Sequence, residues 1–97
     1  MPISRMTPRA REDLLEIWFY TYQNWGEHQA DCYLFELDIA FKLLSESPLI
    51  CHLRQELSPP VRIYNFKHHM IVYKKTEDGI DVIRVLHDRM DYEDKLG

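Results

Sequence analysis

The sequence predicts an α+β domain in which an antiparallel helical hairpin packs on a small, mainly antiparallel sheet, in the order β-α-α-β-β-β. Three observations lead to this fold class. Two consecutive stretches repeat apolar residues with the period of an α-helix, a glycine separates them, and three β-rich runs with short connections follow. A chain of 97 residues has little room for a second domain, so residues 1–97 are expected to form one.

The chain begins with a short β-compatible stretch, residues 3–6, and then shows a clear helix start. If residues 3–6 join the sheet they pair with a later strand, and the sequence leaves open which one. The next two residues are Thr7 and Pro8. The threonine hydroxyl can cap a helix, and proline needs no backbone N–H at the first helical position. We expect the first helix to cover residues 8–25.

Apolar residues recur at helical spacing in the first helix and again in the second, residues 27–46. On a helix of 3.6 residues per turn each set shares one face, so both helices are predicted to be amphipathic. The first set is Ala10, Leu14, Ile17, Trp18, Thr21 and Trp25, and the second is Ala30, Tyr33, Leu34, Leu37, Ala40, Phe41 and Leu44. Gly26 suits the turn between them, because glycine takes positive φ without strain. So short a turn makes the helices antiparallel, and Pro48 ends the second one.

Three strands are predicted after a loop that covers residues 49–60. They are residues 61–66, 70–73 and 80–86, and each is rich in β-branched, aromatic or other apolar residues. The dipeptide Lys67-His68 separates the first two, and Glu77-Asp78-Gly79 separates the last two. Because Asp-Gly is a strong hairpin signal and the connections are tight, the strands are expected to form an antiparallel meander.

Composition indicates a soluble globular protein with an uneven charge distribution. The chain is 45% hydrophobic and 29% charged, with a formal net charge of −4. Residues 12–57 carry a net charge of −7, whereas residues 58–76 carry four basic residues and no acidic one. No apolar run reaches the ~20 residues of a membrane span, and the first residues lack a signal-peptide core, so a cytoplasmic protein without membrane contact is expected.

The cysteines and histidines do not form a metal-binding pattern. Cys32 and Cys51 belong to no CxxC pair, and adjacent His68 and His69 point to opposite faces of an extended chain. We therefore expect no metal site and no cofactor.

Several segments, in the correct order over nearly the whole chain, make the sequence similar to the ParE toxins of bacterial type II toxin–antitoxin systems. The closing segment is the most specific of them. The segments are Thr7-Pro8-Arg9-Ala10 with Asp13-Leu14, Ile17 and Tyr20; Trp25-Gly26 with Gln29-Ala30 and Tyr33; residues 44–48; Arg62; His69-Met70-Ile71-Val72-Tyr73; and Ile80-x-Val82-Ile83-Arg84-Val85-Leu86-His87-x-Arg89-Met90-Asp91.

The resemblance implies a RelE/ParE-like fold and a toxin that inhibits DNA gyrase, with no chemistry of its own. It also implies a ParD-like antitoxin whose disordered tail folds on the toxin. The complex would then contact operator DNA only through the antitoxin. A relic that is inert, or that only titrates the antitoxin, is a third alternative.

The main alternative is a RelE-like, ribosome-dependent mRNA endoribonuclease. RNA cleavage without a metal needs a base, an acid and cations near the phosphate. The candidate residues for these roles are Arg62, Arg84, His87 and Tyr92. Arg84 and His87 are three residues apart, so on a regular strand they face opposite ways unless a bulge or the strand end re-aims His87. We favour structural roles, in which the two arginines pair with acidic residues and His87 caps the last strand.

Antitoxin binding is expected in a groove between the hairpin and the basic strands. There the apolar face of an amphipathic antitoxin segment would lie along the toxin, with acidic residues near Arg62, Lys67 or Lys74. Of the aromatic residues of the first helix, Trp18 and Trp25 are expected in the core and in hairpin contacts. That leaves Tyr22 or Phe19 near the surface, where an exposed aromatic often marks a protein contact. We include Tyr22 among the antitoxin-binding residues.

Overall fold

The structure, a computed structural model, describes residues 2–88. It confirms the predicted α+β class and the order of the elements. These are β1 (Ile3–Met6), α1 (Pro8–Trp25), α2 (Glu27–Glu46), a short 3₁₀ turn (Pro48–Ile50), β2 (Arg62–Phe66), β3 (His69–Lys75) and β4 (Gly79–His87). Among the described residues, no helix is long and apolar enough to cross a membrane.

Both helices have the predicted limits, and the predicted cap residues explain why. The Thr7 side chain accepts a hydrogen bond from the backbone N–H of Ala10 at 3.1 Å, and Pro8 occupies the first turn of α1. Gly26 has φ +93°, a conformation that other residues adopt at a cost, and its N–H donates to the carbonyl of Tyr22 at 2.9 Å. The hairpin is therefore defined by local signals at its ends.

The four strands form one sheet in the order β1-β4-β3-β2. Strands β2, β3 and β4 form the predicted antiparallel meander, and β1 lies parallel to β4 at the sheet edge. Gly79 stands opposite Ile3 where these two strands begin to pair. A Cβ atom at Gly79 would lie 1.8 Å from the carbonyl oxygen of Ile3, so only glycine fits this close approach.

The sheet buries apolar side chains on both faces. The cluster beneath the helices contains buried residues of α1, α2, β3 and β4, namely Ala10, Ile17, Leu37, Ala40, Phe41, Leu44, Ile71, Tyr73, Ile80, Val82 and Val85. Because side chains alternate along a strand, Met70, Val72 and Leu86 point the other way and pack with Leu57 and Val61.

The expectation that Trp25 packs in the core was wrong, since this side chain is 65% exposed. Trp25 is the last residue of α1, and its ring contacts Tyr20 edge to face at 6.1 Å between centroids. Trp18 is half-buried, and Tyr22 and Phe19 are exposed as predicted.

Candidate functional site

A continuous cleft runs between the hairpin and the sheet, where β3 begins and β4 ends. It consists of two adjoining cavities of about 360 and 420 Å³ that share Tyr20, His69 and His87. The first cavity extends along α1 to Arg9, Asp13 and Arg84, and the second extends to Trp25, Tyr33 and Lys67. We call it the His69 cleft.

His69 lies at the centre of this cleft. Its Nδ1 is 2.6 Å from the hydroxyl oxygen of Tyr33 on α2, and its ring is 5.3 Å from that of His87, its register partner on β4. Burial, reinforced by repulsion from His87, lowers the pKa of His69 to about 4. Burial also raises the pKa of Tyr33 to about 12. Both groups are therefore neutral near pH 7.

Asp13 and Arg84 form a nearly buried ion pair at the α1 end of the cleft. Arg84 donates from Nε to Asp13 Oδ2 at 2.7 Å and from Nη2 to Oδ1 at 3.1 Å. The backbone N–H of Val85 donates to the same Oδ2 at 3.0 Å. The Asp13 side chain is 5% exposed, and its carboxylate raises the pKa of Arg84 above the ordinary arginine value. The pair joins α1 to β4.

Arg84 and His87 line the same cavity although they are three residues apart on β4. β4 does contain a bulge, because Val72 pairs with Arg84 and Tyr73 with Val82. Ile83 is the extra residue, so Arg84 lies at the bulge and His87 lies beyond it, where a bulge disturbs the regular alternation of side chains. Strand pairing with β1 ends at Val82. Beyond it the edge of β4 contacts side chains at the start of α1: the Thr7 hydroxyl donates to the carbonyl of Ile83 at 2.8 Å, and Asp13 accepts hydrogen bonds from the Val85 N–H and from Arg84.

The other residues of the ribonuclease alternative are not gathered here. Arg62 is absent from the described lining of the cleft, and its Nη1 donates to the carbonyl oxygen of Cys51 at 2.6 Å, where the sequence had indicated an acidic partner. Tyr92 lies outside the described residues. Within residues 2–88, no group of three or more histidine, cysteine, aspartate or glutamate side chains is arranged to hold a metal ion.

The residues predicted to bind an antitoxin lie in separate places. Lys67, in the turn between β2 and β3, lines the cleft and forms an ion pair with Glu36. Its Nζ also lies 5.7 Å from the centroid of the Tyr33 ring. Lys74 is near the opposite end of β3, and Tyr22 stacks on Trp18 on α1 with 5.1 Å between ring centroids.

Sequence reasoning missed His69, Tyr33 and Asp13 as parts of this site. Asp13 carried a usable signal, since it lies three residues after Ala10 and four before Ile17, on the apolar face of the helix. A charged residue in such a stripe indicates a buried partner. Tyr33 and His69 had no comparable signal, because their contact depends on how α2 crosses β3.

Comparisons with known proteins agree with this fold. The family model for the ParE toxin of type II toxin–antitoxin systems, parDE, matches residues 5–92. "Toxin ParE1" of Mycobacterium tuberculosis is 40% identical over 92 residues, which is 94% of each chain. "Toxin ParE1" of Caulobacter vibrioides is 32% identical over 93 residues, or 96% of each chain.

A solved structure described as "Chromosomal ParDE TA system from P. aeruginosa" has the same fold. It matches with a TM-score of 0.76 and 18% identity, and the match covers 90% of this chain and 96% of the other. The resemblance noted from the sequence is thereby confirmed: the chain belongs to the ParE toxin family of type II toxin–antitoxin systems.

Proposed function

We propose that this toxin acts by binding and inhibiting DNA gyrase, without chemistry of its own, and that a ParD-like antitoxin neutralises it. Membership of the ParE toxin family and the ParDE description of the structural match support this proposal. The observation that carries the non-enzymatic part is the state of the cleft. Its two arginines, Arg9 and Arg84, and its lysine are paired with carboxylates, and the lowered pKa of its central histidine, about 4, makes that ring a weak base.

A ribonuclease site would require a different arrangement. A general acid or base works best with a pKa near the working pH, whereas the pKa of His69 is about 4 and that of Tyr33 about 12. The Nε and Nη2 groups of Arg84 already donate to Asp13, so they are not available to bind a phosphate. The net charge of −4 also gives little attraction for RNA.

We place the antitoxin along the His69 cleft and the basic strands. The aromatic walls of the cleft, Tyr20, Trp25 and Tyr33, offer apolar surface to a folding segment. Lys67 stands at the cleft rim, where an acidic antitoxin residue would compete with Glu36 for it. Arg62, Lys74 and Tyr22 extend the proposed contact beyond the cleft, and operator DNA would be contacted only through the antitoxin.

The target is tested with purified toxin in a gyrase supercoiling assay, beside an assay of mRNA cleavage on translating ribosomes. We expect inhibited supercoiling or trapped cleaved DNA, and intact mRNA. The variants His87→Ala and Tyr92→Phe, each verified as folded, should remain toxic, because neither side chain would transfer a proton. A ribonuclease would instead lose about 10²–10⁴-fold in rate. Loss of toxicity in both variants, with gyrase unaffected by the parent protein, would contradict the proposal.

Antitoxin docking is tested by charge reversal. Arg62→Glu, Lys67→Glu and Lys74→Glu should slow association with the antitoxin and reduce its salt dependence, because attractive charges are lost. The matched control is Arg11→Glu, an exposed position on α1 outside the cleft. If the triple reversal leaves association unchanged at low salt, the basic strands are not the docking surface. If the control slows association equally for each charge reversed, only net charge matters.

A further inference from the structure

The helical hairpin has a second apolar surface, on the side away from the sheet. Its members recur at steps of four residues and are between 43% and 66% exposed. They are Leu15 and Phe19 on α1, and Phe35, Ile39 and Leu43 on α2. None of them appears in the described lining of the His69 cleft. We call these five residues the outer face.

The outer face is held by contacts between the two helices. Trp18, half-buried beside it, donates from Nε1 to the carboxylate of Asp31 on α2 at 2.9 Å. The Trp18 ring also packs on Phe19, edge to face with 5.7 Å between ring centroids, and on Tyr22. Because Phe19 is already oriented by its neighbour, binding a partner would cost it little side-chain entropy. Exposed, ordered aromatics of this kind dominate many protein interfaces.

The charges of the hairpin restrict what can cover this surface. Residues 8–46 contain eight acidic residues and three basic ones, a net charge of −5. Two of the acids pair with bases outside the hairpin, Asp13 with Arg84 and Glu36 with Lys67, so the remaining charges of the hairpin sum to −3. Two of the bases are already paired with acids of the same helix, Arg9 with Glu12 and Lys42 with Asp38. A second copy of the chain would bring two negative hairpins together, which is unfavourable. A partner with positive charge beside an apolar stripe would complement both properties.

We propose that the outer face is a docking surface for a basic amphipathic helix of a partner protein, separate from the cleft. Two helices side by side offer a shallow apolar groove, which an amphipathic helix fills with residues at positions i, i+3, i+4 and i+7. Lysine or arginine residues flanking its apolar stripe meet the acidic residues of the hairpin. The toxin then has two binding surfaces of different chemistry.

The probe is a synthetic 18-residue peptide of leucine and lysine, with the leucines on one helical face. Its binding to the 97-residue chain is followed by calorimetry and by tryptophan fluorescence, to which Trp18 and Trp25 both contribute. We expect saturable one-to-one binding that weakens with salt and is at least tenfold weaker in Phe19→Ser and in Phe35→Ser. Leu49→Ser, at a position 64% exposed outside the hairpin, is the matched control and should bind as the parent does.

Two further comparisons decide between occupants. A counterpart peptide with glutamate in place of lysine should bind at least tenfold more weakly, and the cleft variant Lys67→Glu should bind the lysine peptide as the parent does. Equal binding of both peptides, or binding unaffected by the two phenylalanine variants, would overturn the proposal. So would a toxin dimer, seen by sedimentation, that Phe35→Ser dissociates, because the outer face would then be occupied by a second copy.

Discussion

Replacing Asp13 by alanine should destabilise the protein more than any exposed charge substitution does. The Asp13 carboxylate accepts two hydrogen bonds from Arg84 and one from the backbone of Val85, at distances from 2.7 to 3.1 Å. Its side chain is 5% exposed and that of Arg84 is 12% exposed. The Asp13→Ala variant would leave a nearly buried guanidinium and a backbone N–H without their partner.

The expected loss follows from this environment. Removing one member of a buried ion pair typically costs about 3–5 kcal/mol, because the other charge stays buried and unpaired. A domain of this kind has a total stability of only ~5–15 kcal/mol, so much of it would be lost. The matched control is Asp38→Ala, which removes an exposed ion pair with Lys42 within one helix. Pairs of that type contribute about 0.3–0.5 kcal/mol.

A double-mutant cycle separates the ion pair from simple loss of packing. Asp13→Leu and Arg84→Met are measured singly and together by urea unfolding, followed by tryptophan fluorescence. Each single variant should lose about 3–5 kcal/mol. The double variant leaves no buried charge, and its main cost is the unpaired N–H of Val85, about 1–3 kcal/mol. If the two single losses add to within ~0.5 kcal/mol in the double variant, the residues act independently and the reasoning is refuted.

Three further predictions concern the core, the edge strand and pH. Leu37→Ala should cost about 2–5 kcal/mol in urea unfolding, because Leu37 is 1% exposed, whereas exposed Phe35→Ala should stay within about 0.5 kcal/mol of the parent. Gly79→Ala should detach β1 from β4, because the added Cβ would lie 1.8 Å from the carbonyl oxygen of Ile3. Hydrogen exchange would then show that the amides of β1 lose protection, and unchanged protection would contradict this close approach. The pKa of His69 is about 4 in the folded protein and near 6.5 in the unfolded chain. Because only the unfolded chain binds a proton between these values, the stability of the protein should fall as the pH falls from 6.5 to 4. The full pKa shift corresponds to about 3 kcal/mol of unfolding free energy, which solvent screening of the partly buried ring reduces to roughly 1–2 kcal/mol. In the His69→Gln variant the free energy of unfolding should depend less on pH over this range than in the parent.

The helical hairpin was predictable from the sequence because its signals are local. The Thr7-Pro8 start, Gly26 and Pro48 each act within a few residues of the helix end that they define. The apolar period then indicates which face is buried without any knowledge of what covers it. Trp25 shows the limit of that argument, because a position on the apolar face is buried only where another element lies over it.

The site was harder to predict because its parts meet only in the folded chain. Asp13 and Arg84 are separated by 71 residues, and nothing in their spacing indicates that they pair. The parallel pairing of β1 with β4 depends on the path of the chain after α1 and α2, which periodicity does not describe. Arg84 and His87 were predicted to face opposite ways unless a bulge or the strand end changed this; β4 does have a bulge at Arg84, and both side chains line one cavity.

The position of the Asp13–Arg84 pair determines which variants can test the proposed mechanism. The His69 cleft takes Tyr20 from α1, Tyr33 from α2, and His69 and His87 from the sheet, so its shape depends on how the hairpin sits on β4. The buried pair fixes that relation at one end of the cleft. An Arg84 variant would therefore lose toxicity through lost stability even if no RNA were ever cleaved. His87 is partly exposed at the end of β4, and replacing it leaves the Asp13–Arg84 pair in place. A folded His87 variant thus separates ribonuclease chemistry from binding, whereas an Arg84 variant cannot.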